Sequence, residues 1–315
     1  MVLNPAKTVF VFPGQGSQSV GMGQELALAY PAARQVYEQA DALLGFSLSR
    51  LAWEGPEEEL NDTLNTQPAL LVHSVAALKV FLERVPGFCP AFTAGHSMGE
   101  ISALVAAGAL PFEEALRLAR RRGELMKEAG EISPGGMAAI LGLDIPTLDE
   151  VCARASAPGE PVQVANDNCP GQVVISGAAP ALERAVKLAQ EAGARRAKPL
   201  AVSIAAHSPL MAHAQAGFTE AVASAPFADP QIPLVGNVTA SPLTHADDIR
   251  ADLRAQLTSR VRWTESIQNM AASGVDLFIE LGSGSVLTGL LKRIDPQVTG
   301  LSLGAPADFD KLPSA

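Results

Sequence analysis

Five consecutive residues, Gly95-His96-Ser97-Met98-Gly99, carry the pattern Gly-x-Ser-x-Gly between a short apolar stretch and an apolar helical one. A serine on so sharp a strand-to-helix turn has its hydroxyl lifted out of the sheet, and the next N–H, that of Met98, is aimed at an oxyanion. Side chains at the two glycine positions would clash in such a corner. The same residues also admit a structural role, because Ser97-x-x-Glu100 ahead of an apolar run is a capping box. A nucleophilic serine needs a base. His207 follows Ala205-Ala206 at what reads as a strand end, where α/β sheets face ligand clefts, and is the first candidate. His213, on the following helix, is the second. His96 adjoins the serine and reads as a residue shaping the pocket, His73 as packed within an apolar helix, and His245 as solvated among acidic neighbours. Asp144, Asp149, Glu160 and Asp167 fall between Ser97 and His207, yet none is an obvious third triad member. That points to a Ser–His dyad held by a neutral acceptor.

Two further features bear on the same chemistry. At helical spacing, Phe112, Ala115, Ala119 and Met126 share one stripe with Arg122 at its edge, while Arg117 and Arg121 point away. An arginine turned inward needs an anionic partner, either a structural ion pair or a substrate carboxylate held by the guanidinium fork. Gly14-Gln15-Gly16 follows an opening strand and lacks the spacing of a dinucleotide fingerprint. Its backbone N–H groups are placed to complete an oxyanion hole with Met98.

These residues must be positioned by a sizeable fold. The chain has 315 residues, enough for two units or one large domain with an insertion. Apolar residues make up 48% and charged residues 18%, which excludes extensive disorder. The net charge of −10 argues against a general nucleic-acid binder. Cys89, Cys152 and Cys169 are too scattered for a disulfide framework or zinc site and fit a reducing compartment. The apolar run 8–12 is too short for a signal peptide or membrane span, and no later run reaches span length. A cytoplasmic α/β protein without membrane association is expected.

The order of elements is more specific. A strand at 7–12 leads into the first glycine turn. Helices are expected at 24–44, 56–64 and 68–84, with Pro68 at a first helical position. A strand at 90–94 precedes the serine turn, and helices at 100–110 and 112–129 follow. Residues 136–203 change rhythm: strand 137–143, helix 146–156, strands 161–165 and 172–176, helix 180–192 and strand 199–204. That β-α-β-β-α-β order is ferredoxin-like. The expected division is a core of 1–135 and 204–315 with an inserted subdomain at 136–203. The larger pattern then resumes with helices at 209–223, 247–257 and 264–273, a strand at 275–281, a helix at 286–294 and a loose tail after about 305.

The motifs Val11-Phe12-Pro13-Gly14-Gln15-Gly16-Ser17-Gln18, Thr66-Gln67-Pro68-Ala69-Leu70, Ala94-Gly95-His96-Ser97-Met98-Gly99-Glu100 and Pro170-Gly171-Gln172-Val173-Val174-Ile175-Ser176-Gly177 occur in this order. Together they resemble the malonyl-CoA:acyl carrier protein transacylases of type II fatty acid synthesis, over residues 8–303. The resemblance implies an α/β-hydrolase-like core with an inserted ferredoxin-like subdomain. It implies transfer of malonyl from malonyl-CoA to the phosphopantetheine thiol of an acyl carrier protein through malonyl-Ser97. His207 would be the base, and Arg122 would bind the malonyl carboxylate with His96 beside it. The backbone N–H groups of Gln15 and Met98 would hold the oxyanion, and the main-chain carbonyl of Gln256 would orient the histidine. No metal or organic cofactor is implied, and a monomer is expected. The rival readings are a discrete acyltransferase of a polyketide synthase, a serine thioesterase or esterase, and a carrier-protein docking module. Because such carriers are usually acidic, as is this chain, a local basic patch is expected, with Arg117, Arg121, Arg195, Arg196 and Lys198 as candidates. Ile204-Ala205-Ala206-His207 departs from the bulkier or hydroxylated residue many relatives place before the histidine, and Gly282-Ser283-Gly284 from the usual Gly-Pro-Gly.

Overall fold

The computed structural model describes residues 3–312. Two sheets organise them. The first runs β10-β9-β1-β2-β7-β8, from β1 (Thr8–Phe12), β2 (Phe92–Gly95), β7 (Leu234–Val235), β8 (Pro242–Leu243), β9 (Leu277–Leu281) and β10 (Thr299–Leu303). All pairs are parallel except β7 with β8. Every residue of β1 is buried, as a central parallel strand covered on both faces requires. Its alternate side chains enter two cores: Phe10 and Phe12 pack with Leu70 and Phe81, Val9 and Val11 with Trp263 and Phe278. Pairing of Phe12 with Gly95 brings the ends of β1 and β2 level. The glycine turn after β1 and the serine turn after β2 are therefore neighbours.

The second sheet is antiparallel, in the order β4-β5-β3-β6, from β3 (Gly135–Leu141), β4 (Val162–Cys169), β5 (Gln172–Ala178) and β6 (Arg196–Pro199). The helices Ile145–Ala155 and Ala179–Glu191 pack through Leu148, Val151, Ala181 and Ala185 onto Ala138, Ile140, Val164 and Ile175. This is the ferredoxin-like β-α-β-β-α-β arrangement, and the protein is of the α/β class with a parallel core sheet. Strand β4 is tied to the core by a backbone exchange with the segment before the helix Trp263–Ala272: Asp167 N–H donates to Val261 O at 2.9 Å, and Val261 N–H to Ala165 O at 2.8 Å.

Several elements differ from the sequence expectation. The helix expected at 24–44 is two helices, Gln24–Ala29 and Pro31–Leu44, because Pro31 opens the second. Pro68 does not start its helix. It lies inside Thr63–Arg84, which begins at Asp62, whose carboxylate accepts from Leu64 N–H. Pro68 has no N–H to offer the Leu64 carbonyl, and that carbonyl instead accepts from Arg120 Nη1 at 3.0 Å. The strand expected at 199–204 is β6, which stops at Pro199, so His207 lies in a turn rather than at a strand end. Of the tail expected to be loose after 305, residues 306–311 form the 3₁₀ helix Pro306–Lys311, which buries Phe309 against the core, and 313–315 lie outside the described residues. Strands β7, β8 and β10 were not expected; the first two are only two residues long.

One glycine sets how closely the helix Phe112–Ile132 approaches Thr63–Arg84. A Cβ on Gly123 would lie 2.7 Å from Leu64 Cα and 2.8 Å from Thr63 O. Both are backbone atoms, so relief requires the helices to part. Gly123→Ala is expected to destabilise by about 1–3 kcal/mol, read as a lower Tm in calorimetry; an unchanged Tm would show that the helices separate freely.

Candidate active site

The serine turn is built by steric exclusion around a strained residue. A Cβ on Gly95 would lie 2.0 Å from Gly99 C, and one on Gly99 would lie 2.2 Å from Phe12 O. Ser97 itself has φ +52°, a left-handed conformation that a side chain disfavours. Asn237 holds it there: its Oδ1 accepts from Ser97 N–H and its Nδ2 donates to Gly95 O, each at 2.7 Å. The helix Gly99–Ala106 begins without a side-chain cap. The capping-box role is therefore absent, and the Ser97 hydroxyl is engaged elsewhere.

Ser97 Oγ lies 2.8 Å from His207 Nε2. The imidazole is oriented from behind, with Nδ1 2.9 Å from the main-chain oxygen of Gln256. With Ser97 donating to Nε2, the proton on Nδ1 goes to that carbonyl. His207 also has positive φ, +58°, and its carbonyl accepts from Gln163 Nε2 at 2.7 Å across from β4. Burial, then the nearby Arg122 charge, push the imidazole down to about 3 against the opposing pull of the Gln256 carbonyl. His207 is therefore neutral and able to take a proton. His213, the second candidate, is exposed and bonded to Glu128, and His245 sits exposed beside Asp229. His73 is buried against Gly304 O. The four acids between Ser97 and His207 are occupied elsewhere: Asp144 caps a helix, Asp149 meets Arg260, Glu160 meets Arg184, and Asp167 accepts from Thr264.

Arg122 is 1% exposed. Its Nη1 donates to Gln67 Oε1 at 2.8 Å, its Nη2 to Gln256 Oε1 at 2.8 Å and to Ser97 Oγ at 3.1 Å. Every one of these acceptors is uncharged. Burial lowers the guanidinium to about 10, which leaves it protonated at neutral pH. Gln67 is held in turn by Thr63, whose hydroxyl donates to Gln15 Oε1 at 2.9 Å. Gln15 thus joins the site by its side chain as well as by its place in the turn. That turn presses on the elbow, since a Cβ on Gly14 would lie 2.4 Å from His96 O. Among the described residues, neither the Gln15 nor the Met98 N–H has a protein acceptor. His96 is half-buried, bonded to Asn168 at 2.8 Å and edge-on to Trp263, with burial lowering its imidazole.

The structure thus brings Ser97, His207, Arg122, Gln256, Gln15, Met98 and His96 together. Sequence reasoning missed Asn237, Gln67 and Gln163 as positioning groups. Only Gln67 carried a signal, its place in the Thr66-Gln67-Pro68 motif. The arrangement suits transfer, through a serine ester, of an acyl group carrying negative charge at its far end.

Comparison with known proteins agrees with this chemistry. The acyl transferase domain family matches residues 9–299. The chain is 48% identical over 305 residues to the malonyl CoA-acyl carrier protein transacylase of Bacillus subtilis, covering 97% of this chain and 96% of that protein. The Escherichia coli K12 protein of the same name is 46% identical over 298 residues, with 95% and 96% covered. An acyl carrier protein S-malonyltransferase from Vibrio cholerae superposes with a TM-score of 0.93 at 45% identity, covering 97% and 99%. A malonyl-transacylase in complex with a type II polyketide synthase acyl-carrier protein also gives 0.93, at 44% identity and 97% and 98% coverage.

The depressed imidazole has a measurable consequence. An ordinary histidine loses its base form as pH falls through about 6.5. His207 keeps it until its own value, about 3. Labelling of Ser97 by a neutral fluorophosphonate, corrected for reagent hydrolysis, should show no inflection between roughly pH 8 and pH 5. A half-loss near pH 6.5 would mean the imidazole is not desolvated.

Proposed function

The chain belongs to the acyl transferase family and, within it, to the malonyl-CoA:acyl carrier protein transacylases, and on that premise we propose that Ser97 carries the malonyl group between the two thiols. The observation that supports this most directly is Arg122: a buried guanidinium beside the nucleophile whose partners are all neutral. A carboxylate at the far end of the acyl group is the missing counter-charge.

His207 takes the Ser97 proton as Oγ attacks the thioester carbonyl of malonyl-CoA. The N–H groups of Gln15 and Met98 receive the oxyanion, each worth about 3 kcal/mol at such sites. The tetrahedral adduct collapses, the C–S bond breaks, and the proton on His207 passes to the departing CoA thiol. The phosphopantetheine thiol of the carrier then enters, gives its proton to His207, and reverses the sequence. Both Arg122 and His207 contact the same Ser97 oxygen. The malonyl carboxylate, by compensating Arg122, lifts the charge repulsion that weakens His207 as a base. The correct acyl group thereby strengthens its own catalyst, which acetyl cannot do. The route needs no resident cofactor, and the protein acts as a monomer in the cytoplasm. Among the described residues no helix is long and apolar enough to cross a membrane.

The carrier is expected to dock on the free edge of the second sheet. Arg195, Arg196 and Lys198 on and beside β6 are exposed and form no ion pair among the described residues, and the chain continues from them to His207. Arg117 pairs with Glu114, and Arg121 shares Glu124 with Arg120, so this second group is partly compensated.

Ser97→Ala should yield no malonyl-enzyme by intact mass after incubation with malonyl-CoA. Arg122→Ala should lower kcat/KM for malonyl-CoA by about 10²-fold or more while acetyl-CoA changes only a few-fold. Equal losses for the two would remove the carboxylate role. Arg195→Glu/Arg196→Glu should raise the carrier-protein KM by about tenfold with the rate of Ser97 acylation unchanged; an unaltered KM would place docking elsewhere.

A further inference from the structure

The helix Gly99–Ala106 carries Glu100 straight into the protein, with none of the side chain exposed. Its Oε2 accepts from Gln256 Nε2 at 2.5 Å. Its Oε1 has no donor among the described residues, and the side chain lies within hydrogen-bond reach of the Asp252 carboxyl group. Asp252 lies one turn before Gln256 on the helix Ala246–Gln256 and is 3% exposed. It accepts from Val238 N–H at 3.2 Å and Thr239 N–H at 3.0 Å. Gly236 closes the space beside it, where a Cβ would lie 2.5 Å from Asp252 Oδ1.

Two buried carboxyl groups within hydrogen-bond reach of each other, neither of them ion-paired among the described residues, cannot both be ionised. Asp252 has the pair of backbone donors that suits a carboxylate, so the proton belongs to Glu100. That proton fills the one unsatisfied contact, Glu100 Oε1 donating to Asp252, and leaves Oε2 as a carbonyl acceptor for Gln256. Burial, and after it the charge of Asp252, hold the Glu100 carboxyl well above the usual carboxylate range.

We propose that Glu100 is a specificity-determining positioning residue, kept uncharged by Asp252 so that the charge of Arg122 stays available to the substrate carboxylate. Glu100 is the carboxyl group nearest in this network to Arg122, separated from it by the Gln256 amide, which turns its oxygen to the guanidinium and its nitrogen to Glu100. An ionised Glu100 would act as the guanidinium's internal counter-charge through a low-dielectric interior. An incoming malonyl carboxylate would then meet a neutral site. The neutral acid still anchors Gln256, and through it both Arg122 and His207. This inference rests on the reading of Arg122 as the carboxylate site.

Three variants and one spectrum test it. Asp252→Asn removes the charge that holds the proton and offers Glu100 Oε1 an amide donor, so Glu100 ionises; KM for malonyl-CoA should rise by about tenfold, with acetyl-CoA acylation no slower than in the parent. Glu100→Gln reproduces the neutral acid, and its malonyl-CoA KM should stay within about threefold of the parent. Glu100→Gln/Asp252→Asn should return the malonyl-CoA KM to that of Glu100→Gln, a rescue that lost packing would not give. The infrared spectrum of the parent protein should contain a protonated-carboxyl C=O stretch that Glu100→Gln removes. Absence of that band, or a double variant no better than Asp252→Asn, overturns the proposal. The band reports the proton on Glu100 whatever Arg122 does, so its failure is distinguishable from equal malonyl and acetyl losses in Arg122→Ala.

Discussion

A buried cation without an anion of its own is the constraint around which this site is arranged. Removing a guanidinium from water costs several kcal/mol even after relaxation. Arg122 recovers part of that through charge-assisted bonds to Gln67 and Gln256. The amides must then be fixed themselves. Gln67 is held by Thr63, which reaches the Gln15 side chain in the first glycine turn, and Gln256 is held by Glu100 and the Ser97 carbonyl. The groups that make the cation tolerable are thus the same ones that connect the first glycine turn, Ser97 and His207.

The same constraint accounts for the neutral acceptor behind His207. A carboxylate in that place would lie within the influence of Arg122 and satisfy it permanently. Gln256 closes the helix Ala246–Gln256, so its carbonyl is one of the terminal groups a helix leaves without an intrahelical partner. It also sits at the negative end of the helix dipole, which favours the imidazolium that forms when His207 takes a proton. Its main chain orients the base while its side chain anchors the cation, so one residue supplies both functions without adding charge.

How much of this the sequence revealed depends on the kind of signal each residue carries. The elbow was legible because glycine exclusion leaves a fixed spacing, and Gly95 and Gly99 are both at backbone contact distance. Arg122 was legible from helical phase, which places it on the buried side of the helix Phe112–Ile132. The ferredoxin-like order of elements was legible from alternation of strand and helix patterns. His207 was found for a partly mistaken reason, since it lies in a turn eight residues beyond β6. Gln256 was reached through family resemblance alone, because no periodicity marks a main-chain acceptor. Asn237 could not be read: it follows a two-residue strand and meets Ser97 from 140 positions away. Pro68 misled because proline marks a helix start only where no side chain, here Arg120, takes up the freed carbonyl.

Ser97 and His207 are also two of the three non-glycine residues with positive φ among those described. Such a conformation costs about 1–2 kcal/mol each and persists only where the surroundings over-determine it. Ser97 is over-determined from within the core, by Asn237 bonding on both sides of it. His207 is not: the side chain that holds its carbonyl, Gln163, comes from β4 and also donates to Thr258 O at 3.1 Å. The second sheet therefore pins the main chain of His207 to the segment that follows Gln256. Ser97 and His207 are thus held by separate parts of the fold, 2.8 Å apart, and β4, which carries Gln163, is also joined to the segment after Gln256 by the backbone exchange at Ala165, Asp167 and Val261. The inserted unit thereby helps to set where His207 lies relative to Ser97.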